Sequence, residues 1–181
     1  LSSTLMSSSE IEIFTASFSG EDSDFTRFNH AKVRQSGHVS QRYFSVDLID
    51  GKRHAAGTIT LTGERAEDDT RLVELVGGLR ELIPNLPEDP HLLYATEVNS
   101  TEQVGENKVP DPEEALARIL AAGEGKDLVG IYAAGSVTDG FANSLGQRNW
   151  FSSHSFNLDW SYYLRTDKAV KTGYAGFEGD Q

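Results

Sequence analysis

The segment Trp150–Arg165, with the sequence WFSSHSFNLDWSYYLR, constrains the fold of this chain more than any other. Its even positions carry most of the large apolar side chains, and its odd positions carry mainly polar ones. This period of two is sorted onto two faces only by an extended strand. Both tryptophans of the chain, Trp150 and Trp160, fall on the even face. The sequence therefore predicts one unusually long strand with an apolar face that the rest of the chain must cover.

The odd face of this strand supplies the candidate site residues. They are Ser153, Ser155, Asn157, Asp159 and Ser161. The simplest interpretation of this face is a solvated sheet surface. The functional hypothesis is a peptide-binding surface, either the floor of a groove or an edge onto which an extended peptide adds as a strand.

The first part of the chain is predicted to be a β-meander that covers residues 1–62. Alternating apolar residues and turn signals indicate about five antiparallel strands. Turns are expected at Gly20–Asp24, at Asn29-His30 and at Asp50-Gly51, where the Asp-Gly pair is a strong hairpin signal. The predicted strands are residues 10–18, 25–28, 32–36, 41–49 and 52–62.

Two helices are predicted in the remainder, which we interpret as one continuous unit of residues 63–181. The first follows Glu64, has a stripe of leucines and valines, and ends before Pro84. Gly77-Gly78 lies inside it and suggests a weak middle that another element approaches closely. The second helix has Asp111 as its N-cap, Glu114 in a capping box, and Gly123 as its stop signal.

Shorter signals complete the predicted architecture. His91–Ala95 and Leu128–Ala134 are strand candidates, a turn is expected around Asn143–Gly146, and Ala169–Phe177 is expected to pair back along the long strand. The predicted fold class is α+β: an antiparallel β-meander and long-strand sheet with two helices packed on one face.

Composition limits the partners and the location. The chain of 181 residues has 28 acidic and 16 basic residues, a formal charge of −12, and no cysteine. An acidic surface repels phosphate backbones and anionic lipid, so we predict no direct nucleic-acid partner and no membrane association. The absence of cysteine excludes disulfides and thiol chemistry and favours a cytoplasmic location.

No catalytic or metal-ligating residue is predicted in this chain. Its five histidines show no HExxH or HExxxH spacing. His154, on the apolar face of the long strand, is interpreted as a hydrogen-bonded core residue. Ser153 and His154 point to opposite faces of a strand, which argues against a nucleophile and base pair. The loop Gly123–Asp127 lacks the spacing of a phosphate-binding loop.

Several motifs, in their order along the chain, resemble the N-terminal half of the TldD/PmbA family. They are TRFNHAKVRQSG (Thr26–Gly37), DGKRHAAG (Asp50–Gly57) and FANSLGQ (Phe141–Gln147), the last followed by the long serine-rich strand. Members of this family were described as modulators of DNA gyrase and are regarded as metallopeptidases or their partner subunits. Asn143, Ser144 and Gly146 match the family's turn before the long strand and are interpreted as turn-forming.

The resemblance implies a function for a longer protein. The family's helix-borne HExxxH motif lies in a C-terminal metal-bearing domain, which we expect to lie beyond these residues. We therefore expect no cofactor in this chain, and zinc in the missing half if the protein is of the metal-binding subtype. The complete protein would hydrolyse unfolded peptides as a homodimer or heterodimer with a family member, and this part would form the cleft wall and dimer contacts. The alternative is a non-catalytic peptide- or protein-binding α+β module. The chain alone is predicted to be inactive.

Overall fold

The computed structural model describes residues 13–165 and 167–178. The predicted strand from Glu10 therefore lies partly outside the described residues, and Leu1–Ser9 lies wholly outside them. Within the described part, seven strands form one sheet in the order β3-β2-β1-β5-β6-β4, with β7 also paired to β6. The strands are β1 (Ile13–Asn29), β2 (Lys32–Asp50), β3 (Arg53–Thr60), β4 (Thr101–Val104), β5 (Asp127–Asn143), β6 (Arg148–Arg165) and β7 (Lys168–Gly176).

Two helices accompany this sheet and confirm the α+β class. They are α1 (Arg65–Leu82), which continues into the 3-10 turn Ile83–Asn85, and α2 (Pro112–Gly123). The hairpins pair antiparallel: β2 with β3 from Tyr43 opposite Thr60 to Asp50 opposite Arg53, and β6 with β7 from Phe156 opposite Gly176.

The predicted five-strand meander is wrong in its number of strands, because β1 and β2 are each one long strand. The acidic segment Gly20–Asp24, predicted as a turn, lies inside β1. Its carboxylates find partners across the sheet: Ser40 Oγ donates to Asp22 Oδ2 at 3.2 Å, and His38 Nδ1 lies 2.9 Å from Asp24 Oδ1. These cross-strand bonds let an acidic segment remain extended where its composition alone indicates a turn.

Both predicted hairpin turns exist, each displaced by one residue. The loop between β1 and β2 is His30-Ala31, and both residues have positive φ, 50° and 53°. Two positive φ values define the type I′ turn, which matches the twist of the flanking strands. The loop between β2 and β3 is Gly51-Lys52, with Gly51 at φ 60°.

The chain forms two compact units. Unit 1 comprises the residues up to Gly20, Gln41–Val104 and Thr138–Phe151, and unit 2 comprises Glu21–Ser40, Gly105–Val137 and the residues from Ser152 onwards. The sequence-based division at residue 62 remains a prediction. Each unit has its own buried cluster, with one helix packed on strands.

The core of unit 1 lies between α1 and the strands β1, β2 and β3. Leu72, Val76, Leu79 and Ile83 form the buried stripe of the helical segment, as predicted. Val46 and Leu48 of β2 face them and are almost completely buried. Leu82 also falls in the predicted stripe by its spacing, but it is 47% exposed.

The prediction of a close approach at Gly77-Gly78 is wrong. A Cβ atom added at either glycine meets no atom within 4 Å. The close approach is instead on the strand side, where a Cβ on Gly57 of β3 would collide with the side chain of Leu75. The helix therefore comes close to the sheet because β3, and not α1, has the glycine.

Helix α2 packs on the core of unit 2. Asp111 is its N-cap, as predicted, and its carboxylate accepts hydrogen bonds from the backbone N–H of Glu113 and Glu114 at 3.0 and 3.1 Å. Gly123 is the last helical residue and not the predicted stop; the positive φ, 69°, belongs to Gly125. Gly123 is buried against Leu128, so its small size serves packing.

The predicted strand at His91–Ala95 is wrong. This segment is irregular, and the short strand β4 begins later, at Thr101. Leu93 is 93% exposed, so its apolar side chain does not contribute to a core. The segment is not among the paired strands of the sheet, and apolar residues without a neighbouring strand to pack and pair with do not make a strand.

Candidate functional site: the polar face of β6

Strand β6 is extended from Arg148 to Arg165, as predicted. The five candidate residues therefore share one face of the strand. Asn157 and Asp159 are exposed, whereas Ser153, Ser155 and Ser161 are half-buried. On the opposite face, Phe156 is buried, and its ring contacts Tyr132 and Tyr174 with centroids 6.2 and 5.7 Å apart.

The predicted burial of both tryptophans is correct only in part. Trp160 is half-buried, but Trp150 is 42% exposed. The ring of Trp150 stacks on Phe18 at 5.5 Å between centroids, and its edge lies near Gly140. One side of the indole is thus covered by Phe18, and the rest remains accessible.

The backbone of β6 is paired on both sides. Strand β5 lies on one side, and β4 and β7 lie on the other. Between these two, Gly105 donates its backbone N–H to the carbonyl oxygen of Ser152 at 2.8 Å. Among the described residues both edges of β6 are therefore occupied by other strands, which leaves its polar face, and not an edge, as the candidate peptide-binding surface.

Asp159 has a defined place on this face. It lies opposite Gly173 of β7, and its carboxylate covers the position where a side chain at Gly173 would project. Asn157 and Asp159 are the two exposed residues of the five candidates. The carboxylate of Asp159 can accept hydrogen bonds, and the amide of Asn157 can both donate and accept them.

The turn that precedes β6 is built around one buried amide. Asn143 Oδ1 accepts hydrogen bonds from the backbone N–H of Leu145 and Gln147 at 3.1 and 3.0 Å, and Asn143 Nδ2 donates to the carbonyl oxygen of Ala95 at 2.9 Å. Gly146 has φ 102°, a value that favours glycine. The predicted turn-forming role of Asn143 and Gly146 is thus explained by specific bonds.

The same turn attaches two distant segments of unit 1. Ser144 exchanges two bonds with Phe14: its N–H donates to the Phe14 carbonyl oxygen and its Oγ accepts from the Phe14 N–H, both at 3.1 Å. Asn149 Nδ2 donates to the Asn99 carbonyl oxygen at 2.9 Å and to Thr101 Oγ1 at 2.8 Å. The FANSLGQ turn therefore fixes the start of β6 by hydrogen bonds to distant segments. The sequence predicted the turn but not these bonds.

Histidine–aspartate pairs are a feature that the sequence did not reveal. His30 Nδ1 lies 2.7 Å from Asp127 Oδ1, and His54 Nδ1 lies 3.0 Å from Asp47 Oδ2. The partners are far apart in the chain or on different strands, so no local motif marks them. None of these pairs touches the five candidate residues of β6.

His154 differs from its prediction. Its Nδ1 atom is buried, yet it has no hydrogen-bond partner within residues 13–165 and 167–178. The hydroxyl of Tyr132 is likewise buried without a partner there, and burial raises the pKa of Tyr132 above its usual value. Unit 2 therefore contains buried polar atoms whose bonding capacity its described residues do not use.

A polar depression of about 400 Å³ lies beside the N-terminus of α2 in unit 2. It is lined by Lys108, Val109, Pro110, Asp111, Glu114, Arg118 and Glu178. The ammonium of Lys108 lies 3.4 Å from Glu106 and 3.5 Å from Glu178. The hydrogen bond that Lys108 donates to Glu106 and the charge of Glu178 raise the pKa of Lys108. The one lysine of the depression is thus already paired with two carboxylates.

Across 13–165 and 167–178, histidine, aspartate and glutamate side chains nowhere form a group of three or more that is placed to hold a metal ion. No helix in this part of the chain is long and apolar enough to cross a membrane.

Comparison by sequence does not identify relatives. No protein-family profile matches the sequence, and no curated protein matches it.

Comparison by structure identifies the fold: the α+β sheet described above recurs in solved proteins. TldE from Thermococcus kodakarensis is similar with a TM-score of 0.74 at 12% identity, covering 92% of this chain and 40% of that chain. A proposed modulator of a DNA gyrase from Thermotoga maritima is similar with a TM-score of 0.66 at 11% identity, covering 91% and 39%.

A third neighbour carries a similar description. It is the proposed modulator of DNA gyrase from Bacteroides thetaiotaomicron, with a TM-score of 0.52 at 17% identity, covering 91% of this chain and 39% of that chain. The chain thus spans about two fifths of the length of the proteins it resembles. The resemblance predicted from the sequence motifs is confirmed at the level of the fold.

Proposed function

We propose that this chain is the N-terminal α+β part of a cytoplasmic TldD/PmbA-type protein. The observation that carries the proposal is the likeness in fold to TldE over 92% of the chain. The motifs Thr26–Gly37, Asp50–Gly57 and Phe141–Gln147 support it from the sequence. The complete protein would be a zinc metallopeptidase that acts on unfolded peptides, or the metal-free partner subunit of one.

In this proposal the described residues contribute substrate binding and not chemistry. The polar face of β6, with Asn157 and Asp159 exposed, is the part of the cleft wall over which an extended peptide passes. Hydrogen bonds between the side chains of this face and the main chain of a peptide do not depend on the peptide's sequence. Such binding would therefore suit unfolded substrates of varied sequence. The remaining contacts of this chain would belong to a homodimer or heterodimer.

The first experiment measures metal content and peptide hydrolysis of the full-length protein. One zinc per chain with cleavage of an unfolded peptide that a chelator abolishes supports the peptidase. Full-length protein without zinc that activates a metal-bearing family member on mixing supports the partner subunit. For the 181-residue chain alone we expect no tightly bound zinc and no turnover; stoichiometric zinc in it contradicts the assignment.

The second experiment tests the polar face in the full-length protein. Asn157→Trp places a bulky ring on the proposed floor, and we expect KM for an unfolded peptide to rise about tenfold with kcat unchanged, because uniform binding is lost. Ala56→Trp, at an exposed position of β3, is the matched control and should change neither constant. An unchanged KM in Asn157→Trp removes the face from the binding site.

The alternative function is a non-catalytic peptide- or protein-binding α+β module. The observation in its favour is that the described residues hold no metal-binding group while presenting a polar strand face. Full-length protein that binds unfolded peptide but neither contains zinc nor activates a family member supports this alternative.

A further inference from the structure

One end of unit 2 differs from the rest of the chain in charge. At this end the loop between β1 and β2 meets the beginning of β5: the Ala31 N–H donates to the Leu128 carbonyl oxygen at 3.0 Å. The end of α2 is also there, since Tyr162 Oη donates to the Ala122 carbonyl oxygen at 3.3 Å. We call this end, where β6 finishes and β7 begins, the basic rim.

The basic rim collects cationic side chains in an acidic protein. They are Lys32, Arg34, Lys126, Arg165, Lys168 and Lys171, and all six residues are exposed. The carboxylates at the same end are those of Glu124, Asp127 and Asp167. Cations therefore outnumber carboxylates two to one here, although the whole chain carries a formal charge of −12.

Several rim cations are not occupied by carboxylates of the described residues. Lys126 donates to the Ala122 carbonyl oxygen at 2.8 Å and lies over the ring of Tyr162, and Arg165 lies 3.7 Å from Asp167. Lys168 and Lys171, by contrast, have no ion pair or hydrogen bond from their side chains within the described ranges. Lys168 and Lys171 lie three positions apart on β7, so their side chains leave opposite faces of this strand, and each presents an unpaired charge that attracts anions.

Apolar side chains accompany these cations. Leu164 is 75% exposed and Val170 58% exposed, and Tyr163 lies directly opposite Ala169 in the β6–β7 pairing. Val33, beside Lys32, is also exposed. Exposed apolar side chains that stand among cations suit a partner that is itself both charged and apolar.

We propose that the basic rim is a docking surface for an acidic protein segment that carries apolar side chains. Carboxylates on the partner match the free lysines, and its apolar side chains match Leu164 and Val170. A nucleic acid fits less well, because the interspersed carboxylates Asp127 and Asp167 repel a continuous phosphate chain. The proposal does not depend on peptidase activity.

The test measures binding of a fluorescein-labelled, glutamate-rich peptide with two leucines, by anisotropy at low and high salt. The variant Lys168→Glu/Lys171→Glu should weaken binding about tenfold or more, because each change replaces an attraction by a repulsion. The matched control Lys52→Glu/Arg148→Glu makes the same change of net charge at two exposed residues of unit 1 and should alter affinity less than about twofold.

Further measurements make each outcome decisive. Lys168→Gln/Lys171→Gln, which removes charge without adding repulsion, should give an intermediate loss, and circular dichroism checks that every variant is folded. Equal weakening by the control, or no peptide binding at all, overturns the proposal. Tighter rim-dependent binding to a DNA duplex or to phosphatidylserine vesicles than to the peptide also overturns it. So does self-association that Lys168→Glu/Lys171→Glu abolishes, because the occupant is then a second copy.

Discussion

The two units pair a helix with sheet strands in different ways. In unit 1 the buried cluster is mainly aliphatic, and Leu48 and Leu72 within it are fully buried. In unit 2 the buried cluster is smaller and more aromatic, built from Phe28, Ala115, Tyr132 and Phe156, and the leucines of α2 are only partly buried around it. Dense aliphatic packing favours the stability of unit 1. Unit 2, whose core is less completely buried, is expected to be the less stable of the two.

This difference separates the structural and the interactive parts of the chain. Unit 1 holds the turn around Asn143, whose side chain makes three hydrogen bonds to other residues of the same unit. Unit 2 holds the polar depression, the basic rim and two of the three buried polar atoms that lack a partner among the described residues, those of Tyr132 and His154; the third, Gln147 Oε1, lies in unit 1. We infer that unit 1 mainly stabilises the fold and that unit 2, which includes the polar face of β6, makes the contacts to other molecules.

The largest expected effect tests the contrast between the cores. Leu72→Ala in unit 1 should lower the free energy of unfolding by about 3–5 kcal/mol, because a fully buried side chain leaves a cavity. Leu116→Ala in unit 2 should cost only about 1–2 kcal/mol, because Leu116 is partly exposed already. Urea unfolding measures both.

The two tryptophans allow each unit to be followed separately. Trp150 belongs to unit 1 and Trp160 to unit 2. Unfolding is therefore monitored by fluorescence in a Trp160→Phe background for unit 1 and in a Trp150→Phe background for unit 2. Equal costs of Leu72→Ala and Leu116→Ala would remove the distinction between the units.

The next effect concerns the turn around Asn143 in unit 1. Asn143→Ala removes three side-chain hydrogen bonds and leaves the N–H groups of Leu145 and Gln147 unsatisfied, so we expect a loss of about 2–3 kcal/mol. Asn149→Ala, at the second residue of β6, should cost less than about 1 kcal/mol, because the hydrogen bonds of Asn149 to Asn99 and Thr101 are exposed to solvent. Thermal unfolding compares the two, and the reverse order contradicts the structural role of Asn143.

A glycine pair tests the packing of α1 on β3. Gly57→Ala should destabilise by about 1–3 kcal/mol, since its Cβ collides with Leu75. Gly77→Ala should stabilise by about 1 kcal/mol, because the added Cβ meets open space and alanine is the better helix former. Urea unfolding of both variants gives the two signs. Destabilisation by Gly77→Ala would place an unrecognised contact at the outer face of α1.

The smallest expected effect is a dependence on pH at the start of α1. Asp68 accepts hydrogen bonds from the backbone N–H and hydroxyl of Thr62 and from the N–H of Gly63, and the backbone bond from Thr62 is the main cause that lowers the pKa of Asp68. Because the pKa of Asp68 is lower in the folded protein than its ordinary value, the ionised carboxylate stabilises the folded state. This contribution is complete above the ordinary pKa of 3.8 and is lost as the pH falls through the lower folded pKa.

Asp68→Asn measures this contribution. The variant should be less stable than the parent near neutral pH, and the difference should shrink as the pH falls below about 4. A difference that is independent of pH would assign the effect of Asp68 to shape and not to charge.

Sequence reasoning succeeded where the signal is local. The long strand β6, the buried stripe of α1 and the N-cap Asp111 all follow from periodicity or capping chemistry over a few residues. It failed where a distant partner changed the outcome. Gly20–Asp24 is extended because His38 and Ser40 bind its carboxylates, and His91–Ala95 is irregular because it is not paired with a strand.

The candidate site divides in the same way. The shared face of Ser153, Ser155, Asn157, Asp159 and Ser161 follows from period two alone. Whether β6 has a free edge depends on β4, β5 and β7, which come from different parts of the chain. The basic rim was not foreseen, because its lysines and arginines are spread over three separated segments and only folding brings them to one end.

The amino-acid sequence by itself determined the type of most elements and the two faces of β6, since these depend on neighbours within a few residues. Only the tertiary structure decided how many strands the first part contains, which glycine lets α1 approach the sheet, and where the positive charge gathers. Those properties depend on contacts between residues that are far apart in the chain, and no local pattern encodes such contacts.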